Sequence, residues 1–183
     1  MGGGVKNMNI TPDPKNDMKI EIRNTQCTLI CSSYEGSITL PIYGLSTQPL
    51  SSGIYGWLSD AIDSPQYYGI LYSNRIFLEK LLFCPYKVGN GSPASLKNWY
   101  VEIVDKNNNW IEVCKGLSIN HYLDDNPLNT ADINKHCYGF RIVCLDSYDG
   151  RNRKGLRYLN IYGEIILNNS LFTNNNNIYG YAE

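Results

Sequence analysis

One group of side chains in the 183-residue sequence has the residue types of a catalytic site. His121, Asp124 and Asp125 lie close together in a polar stretch that follows Cys114 and Ser118. A histidine beside a thiol or hydroxyl is the pattern of an activated nucleophile. The spacing fixes no geometry between a base and a nucleophile, so a solvated polar loop is the favoured interpretation and no catalytic residue or enzyme activity is predicted.

Metal and phosphate sites are also not indicated by the spacing. The aspartates lack the repeated pattern of a calcium-binding loop, and no glycine-rich loop that would hold a phosphate is present. The six cysteines include no CxxC pair, and His121 and His136 do not stand at zinc-site spacing. We therefore predict neither a metal nor another cofactor.

Two further groups could bind a ligand without changing it. A basic cluster could hold a phosphate, an acidic peptide or an anionic lipid headgroup; it consists of Arg151, Arg153, Lys154 and Arg157. The same positions also fit a connector that is polar only for solubility. Aromatic residues of loops could stack on a sugar, a lipid or the apolar side chains of a partner; they are Tyr43, Tyr55, Trp57, Tyr67 and Tyr68.

The segment from Tyr34 to Pro65 contains most of these aromatic residues and is interrupted repeatedly by glycine and proline. Such a segment either closes one end of the fold or exposes a contact surface. Closing the fold is favoured for Trp57 and Leu58, and exposure is favoured for Tyr43 and Tyr55. Residues 57–62 are predicted to form a single helical turn.

The elements that position these groups are predicted to be strands. In the stretch Tyr138–Glu164, apolar side chains alternate in Phe140–Leu145 and again in Leu156–Ile166. A charged connector joins the two, and they need other strands beside them because an isolated hairpin is marginal in water. Further strands are predicted at 18–23, 28–31, 67–72, 75–85, 96–104 and 110–114, the last two as a hairpin. Thr130 could cap a short helix over 131–136.

Composition predicts a single all-β domain. Residues 18–167 are expected to form it, with a flexible N-terminal tail at 1–17 and an asparagine-rich C-terminal tail at 168–183. The net charge of −1 argues against nucleic acid as a partner, and no apolar run is long enough for a transmembrane segment. The chain lacks a signal-peptide core near its start, so we predict an intracellular, cytoplasmic protein with reduced, buried thiols, with secretion as the alternative.

The order of these strands resembles the discoidin family, the coagulation factor V/VIII C-type domains among the galactose-binding-domain-like jelly rolls. The pattern of two tryptophan-bearing strands, an FRI strand, a glycine/asparagine loop and a closing strand is carried by Trp99, Val101, Glu102, Trp110, Glu112, Phe140, Arg141, Ile142, Gly150, Asn152, Leu156, Leu159, Ile161 and Gly163. The resemblance implies an antiparallel jelly-roll sandwich of two sheets. Trp99 would then pack between the sheets, and Arg141 would lie along an aromatic surface or pair with a carboxylate such as Glu102.

Jelly rolls of this family bind through loops at one end of the sandwich. The resemblance therefore implies a non-catalytic binding module. We predict that it mediates protein–protein interaction within an intracellular assembly, such as a cytoskeletal or membrane-apposed one, through an unidentified protein partner. The alternative is a lectin-like domain that binds a carbohydrate or a lipid headgroup.

Overall fold

The structure is a computed structural model, which describes residues 16–35, 41–45, 56–61, 63–86, 96–118, 128–148 and 152–166. The described chain is almost entirely β-structure. Its strands are β1 (Met18–Ile22), β2 (Thr25–Cys31), β3 (Trp57–Leu58), β4 (Gln66–Pro85), β5 (Asn98–Val104), β6 (Trp110–Leu117), β7 (Asn129–Cys144) and β8 (Gly155–Ile165). A short 3-10 helix covers Pro41–Leu45. Of the two predicted tails, residues 1–15 and 168–183 lie outside the described residues.

All pairings between these strands are antiparallel. The hydrogen-bonded order is β1-β2-β4-β7-β5-β6, and β8 pairs with both β4 and β3. The strands predicted on either side of the charged connector are β7 and β8, and they do not pair with each other. The long strand β4 lies between them and pairs with both, so each has another strand beside it, as the sequence predicts.

The sheet folds back on itself into the two layers of a jelly roll. Trp99 pairs with Cys144 on β7, yet its indole Nε1 donates a hydrogen bond to the side chain of Asn129, at the other end of the same strand. A straight strand would separate Cys144 from Asn129 by about 50 Å. Both β4 and β7 therefore bend, and register shifts between Leu71 and Ile76 mark the place.

Each half of the bent strands belongs to one layer. The first layer contains β1, β2, β5 and β6 with the halves of β4 and β7 that pair with β2 and β5. The second layer contains β3 and β8 with the remaining halves. The predicted position of Trp99 between the sheets is confirmed, because its ring contacts Phe83 of the second layer edge-on at 5.0 Å.

Alternation decides which side chains enter the core between the layers. On β5, Trp99, Val101 and Ile103 are buried, while Tyr100 and Glu102 on the opposite face are half-buried.

The two predicted helical segments are wrong, because both form strands. Trp57–Leu58 pairs with β8, and the region after Thr130 alternates buried and exposed residues as part of β7. Tertiary pairing prevails over local propensity at both places.

The two ends of the sandwich differ in how their strands are connected. At one end, which we call the closed end, β1 turns into β2 through Arg23 and Asn24, both with positive φ, as a two-residue hairpin turn requires. There too, the Asp105 carboxylate accepts backbone N–H groups of Asn107 and Asn109, which shapes the predicted β5–β6 hairpin. These hydrogen bonds, first those from Asn109, lower the pKa of Asp105.

All six cysteines lie in the described part of the chain, and none forms a disulfide. Cys114 is half-buried and the other five are buried. Among the residues described, no helix combines the length and the hydropathy that crossing a bilayer requires.

Candidate functional site

The opposite end of the sandwich brings together the segments that the sequence marked as loops. We call it the loop end: it is where β2 and β7 finish and β5 and β8 begin. Backbone hydrogen bonds join its segments in pairs, namely Glu35 N–H to Leu58 O, Ser59 N–H to Lys154 O, Lys97 N–H to Asp146 O and Ser118 N–H to Lys97 O. These hydrogen bonds brace the loop end in two sets, one around residues 58–59 and the other around Lys97.

Gln66 holds the base of this surface together. Its side-chain oxygen accepts the hydroxyls of Ser32 at 2.6 Å and Ser33 at 2.7 Å. Its amide nitrogen donates to the hydroxyl of Ser64 at 3.1 Å and to the carbonyl of Pro65 at 3.2 Å. Gln66 is buried, so these bonds are protected from water and tie the end of β2 to the start of β4.

Two members of the predicted basic cluster lie inside the fold. Arg153 is buried, and its guanidinium lies 3.4 Å from the Glu35 carboxylate. Lys154 is also buried, and its ammonium donates to the carbonyl of Ser64 at 3.1 Å. Burial lowers the pKa of Lys154. Arg157 is half-buried, and Arg151 lies outside the described residues. The prediction is corrected for Arg153 and Lys154, which brace the loop end from inside.

Three of the five predicted aromatic residues are also in the interior. Trp57 donates from its indole nitrogen to the carbonyl of Ser33 at 2.8 Å, and its ring packs at 5.1 Å from that of Tyr68. Tyr68 in turn donates to the carbonyl of Pro41 at 2.6 Å. Both rings are fully buried. The prediction that Trp57 closes this end of the fold is confirmed, and the prediction that Trp57 and Tyr68 stack on a ligand is corrected.

Tyr67 points to the other face of the first layer. There it packs with Ile30 and Val143, and it is buried as well, so its predicted stacking role is corrected too. Of the two aromatic residues favoured for exposure, Tyr55 lies outside the described residues. Tyr43 lies in the 3-10 helix, but its side chain is not described.

The described part of the loop end has accessible side chains that the sequence did not predict as ligand-binding residues. Tyr34 is 37% exposed, and Tyr148 is half-buried with its hydroxyl donating to the carbonyl of Ser118 at 2.9 Å. Asn152 donates to the carboxylate of the exposed Asp63 at 3.3 Å. Tyr148 and Asn152 belong to the polar connector between β7 and β8, so that connector was the available signal.

The loop end also exposes apolar side chains and carries charges of both signs. The exposed leucines are Leu117, Leu128 and Leu145. Among the described residues, the acidic ones are Glu35, Asp60, Asp63 and Asp146, and the basic ones are Lys97 and Arg157 at the surface and the buried Arg153 and Lys154. This balance does not create the one-sided potential that would select an anion.

Two polar atoms beside the loop end are buried and have no hydrogen-bond partner among the described residues. They are Oγ of Ser118 and Nδ2 of Asn129, which flank residues 119–127 in the sequence. Buried donors and acceptors are usually satisfied by protein or by an ordered water.

The described residues of the catalytic hypothesis do not have the properties of a nucleophile. Burial raises the pKa of Cys114, which is the opposite of thiolate activation, and Ser118 is buried. His121, Asp124 and Asp125 lie outside the described residues. Within the described ranges, no three histidine, cysteine or acidic side chains are arranged to hold a metal ion.

No model of a known protein family matches the sequence, and no curated protein matches it. Solved structures do match the fold. The family 32 carbohydrate-binding module from Clostridium perfringens NanJ, in complex with galactose, superimposes with a TM-score of 0.59 at 13% identity, over 74% of this chain and 92% of that one.

Two other solved structures match to a similar degree. CpGH89CBM32-5 from Clostridium perfringens, in complex with GalNAc-β-1,3-galactose, gives a TM-score of 0.59 at 13% identity, over 74% of this chain and 94% of that one. An F5/8 type C domain from Bacteroides fragilis gives 0.58 at 13% identity, over 84% of this chain and all (100%) of that one. The chain has the discoidin-like, galactose-binding-domain-like jelly-roll fold, which confirms the predicted fold and the resemblance to it.

Proposed function

We propose that the protein is a non-catalytic binding domain that binds a carbohydrate through its loop end. The observation that carries this proposal is the combination there of two accessible tyrosine rings, Tyr34 and Tyr148, with the hydrogen-bonding pair Asn152 and Asp63. Aromatic rings stack on the apolar face of a sugar, while amide and carboxylate groups bind its hydroxyls.

Two further features support a neutral sugar as the ligand. The charges that the structure describes at the loop end are mixed in sign, so these residues offer an anionic lipid headgroup or phosphate no net attraction. The carbohydrate-binding modules that share this fold include examples in complex with galactose and with GalNAc-β-1,3-galactose. This reverses the order in which the sequence ranked protein and carbohydrate ligands.

A glycan array probed with the full chain tests the proposal, followed by titration of galactose. We expect binding that Tyr34→Ala and Tyr148→Ala each weaken by roughly tenfold, since each variant removes a stacking surface. Tyr138→Ala is the matched control, because Tyr138 is a half-buried tyrosine at the closed end and its loss should leave affinity unchanged. A blank array, or equal loss in all three variants, would refute sugar binding at the loop end.

A protein partner is the second candidate, and the exposed leucines favour it. Leu117 is 63% exposed and Leu128 is 53% exposed, and such side chains contribute to protein contacts more than to sugar binding. The two functions separate in one comparison. Replacing Leu117 and Leu128 by serine should leave sugar binding intact but abolish capture of a protein partner. Flotation with anionic liposomes covers the lipid alternative, for which we expect no binding.

A further inference from the structure

We propose that β6 is a dimerisation edge, at which two copies of this chain pair antiparallel through their β6 strands. β6 lies at the end of the described strand order and pairs only with β5 among the strands of the structure. A strand at the edge of a sheet presents a row of N–H and C=O groups that another strand can pair with. This inference is independent of the proposed sugar binding.

The charges of β6 identify a second copy as the partner. Glu112 and Lys115 are both exposed, and neither forms an ion pair within the described residues. In an antiparallel pair centred between Val113 and Cys114, Glu112 of each copy lies opposite Lys115 of the other. The same operation places Trp110 opposite Leu117. The strand is therefore complementary to itself in charge and in apolar character.

The faces of the strand agree with this register. Glu112 pairs with Glu102 of β5, and Lys115 pairs with Tyr100 of β5. Tyr100 and Glu102 are two residues apart, so they lie on the same face of the sheet. Trp110 and Leu117 pair with Val104 and Asn98, on that face as well. A register shift between Val101 and Glu102 leaves Val113 as the extra residue of a bulge. Because of this bulge, the side chains of Trp110, Glu112, Lys115 and Leu117 all lie on one face of β6. The two members of each proposed pair therefore lie on the same face of the joined sheet.

The exposure of the strand is also consistent with pairing. Leu117 is 63% exposed and Ile111 is 47% exposed, and the two lie on opposite faces of β6. Pairing would cover Leu117 with the half-buried Trp110 of the second copy, and Ile111 with the second copy's Gly116. Since β6 runs from the closed end to the loop end, the two loop ends of the dimer would point in opposite directions.

Charge reversal tests the pairing directly. Wild-type protein should show a mass that rises toward twice the monomer between about 1 µM and about 1 mM in sedimentation equilibrium, the range of weak association. Glu112→Lys and Lys115→Glu should each raise the dissociation constant by at least about tenfold, because each places like charges opposite one another twice. The double variant should restore dimerisation.

Mixing the two single variants gives the sharpest outcome. Each is expected to be monomeric alone, but an equimolar mixture should form a heterodimer, since all four facing charges are then opposite in sign. Circular dichroism of each variant checks that it is folded, and association of the mixture shows that the edge is intact. Wild type that stays monomeric throughout, or a mixture that does not associate, would overturn the proposal.

A further variant separates pairing from protection of the edge. Charges on edge strands often prevent aggregation. If Glu112 and Lys115 have only that role, the Glu112→Gln, Lys115→Gln double variant should associate more strongly than wild type. Under our proposal it should associate more weakly. Stronger association of this variant would therefore contradict the dimer.

Discussion

Replacing Glu102 by glutamine should destabilise the protein more than any other single polar substitution on the outer face of the first layer. The Arg141 guanidinium lies on that face, with Nε donating to the Glu102 carboxylate at 2.5 Å. Its centre lies 4.2 Å from the ring of Trp110 and 5.3 Å from that of Tyr67. The side chain of Arg141 is 5% exposed and that of Glu102 is 15% exposed.

The size of the effect follows from this burial. Removing one partner of a buried ion pair typically costs about 3–5 kcal/mol, because the other charge is left uncompensated. Glu102 has some contact with water, so we expect about 3 kcal/mol for Glu102→Gln. Arg141→Met keeps the apolar stem, and Glu102 can then be hydrated; losing the cation–π contacts should cost about 2 kcal/mol. With both changes no charge is left unpaired, so the double variant should cost little more than Arg141→Met.

Urea unfolding of the four proteins, followed by tryptophan fluorescence, measures this cycle. The expected coupling energy between Glu102 and Arg141 is at least about 2 kcal/mol. Glu164→Gln on β8 is the control, because Glu164 is exposed and its substitution should change stability by less than about 0.5 kcal/mol. If the two substitutions instead add within about 0.5 kcal/mol, the pair does not act as the structure indicates.

Three further predictions follow from buried groups elsewhere in the fold. Burial raises the pKa of Cys27 to about 11 and that of Cys144 to about 12. The folded state therefore keeps protons that the unfolded state releases above the ordinary thiol pKa of 9.0, so the melting temperature should fall between pH 9 and 12. Cys144→Ala should make this fall less steep, and a wild-type melting temperature that does not change with pH would contradict the burial of the thiols. A Cβ on Gly116 would lie 2.2 Å from the Trp99 ring, so Gly116→Val should lower the free energy of unfolding by about 1–3 kcal/mol. Thr130→Val, at an exposed strand position, is the control and should change it little; equal stabilities of the two variants in urea unfolding would show that the ring can move aside. Gln66→Leu leaves the hydroxyls of two serines without their acceptor and should cost about 2–4 kcal/mol, with faster hydrogen exchange at the loop end. Gln26→Leu, at an exposed position of β2, is the matched control and should change stability by less than about 0.5 kcal/mol, so equal costs for the two variants would refute the role of Gln66.

The strands could be predicted from the sequence because alternation is a local property. Phe140 and Ile142 are both buried and lie on the same face of β7, as their spacing of two residues indicates. The β5–β6 hairpin follows from the asparagine turn before Trp110. The partners of each strand could not be predicted in the same way. β4 lies between β7 and β8 although it precedes both by many residues, and nothing in the connector between them indicates this insertion.

The candidate site was predicted less well, because residue type does not determine exposure. A tyrosine or a lysine in a loop-rich segment suits a ligand as well as it suits a core. Tyr68 is buried because its hydroxyl reaches the carbonyl of Pro41, and Lys154 because its ammonium reaches the carbonyl of Ser64. Both partners lie far away in the sequence, so the hydrogen bonds that make burial possible are visible only in the folded chain.

These buried contacts bear on how the loop end would recognise a ligand. Trp57 and Gln66 both form hydrogen bonds to the segment after β2, and Tyr68 forms one to Pro41, so the base of the surface is fixed before any ligand arrives. A fixed base lowers the ordering cost of binding, but the two accessible tyrosines offer only a small contact area for one sugar. Weak binding by one loop end is the natural consequence. A dimer through β6 would point its two loop ends in opposite directions, so they could not both bind one flat surface but could bridge two. Bridging, in which the second contact forms at a high effective concentration, is the arrangement in which a weak site of this kind becomes useful.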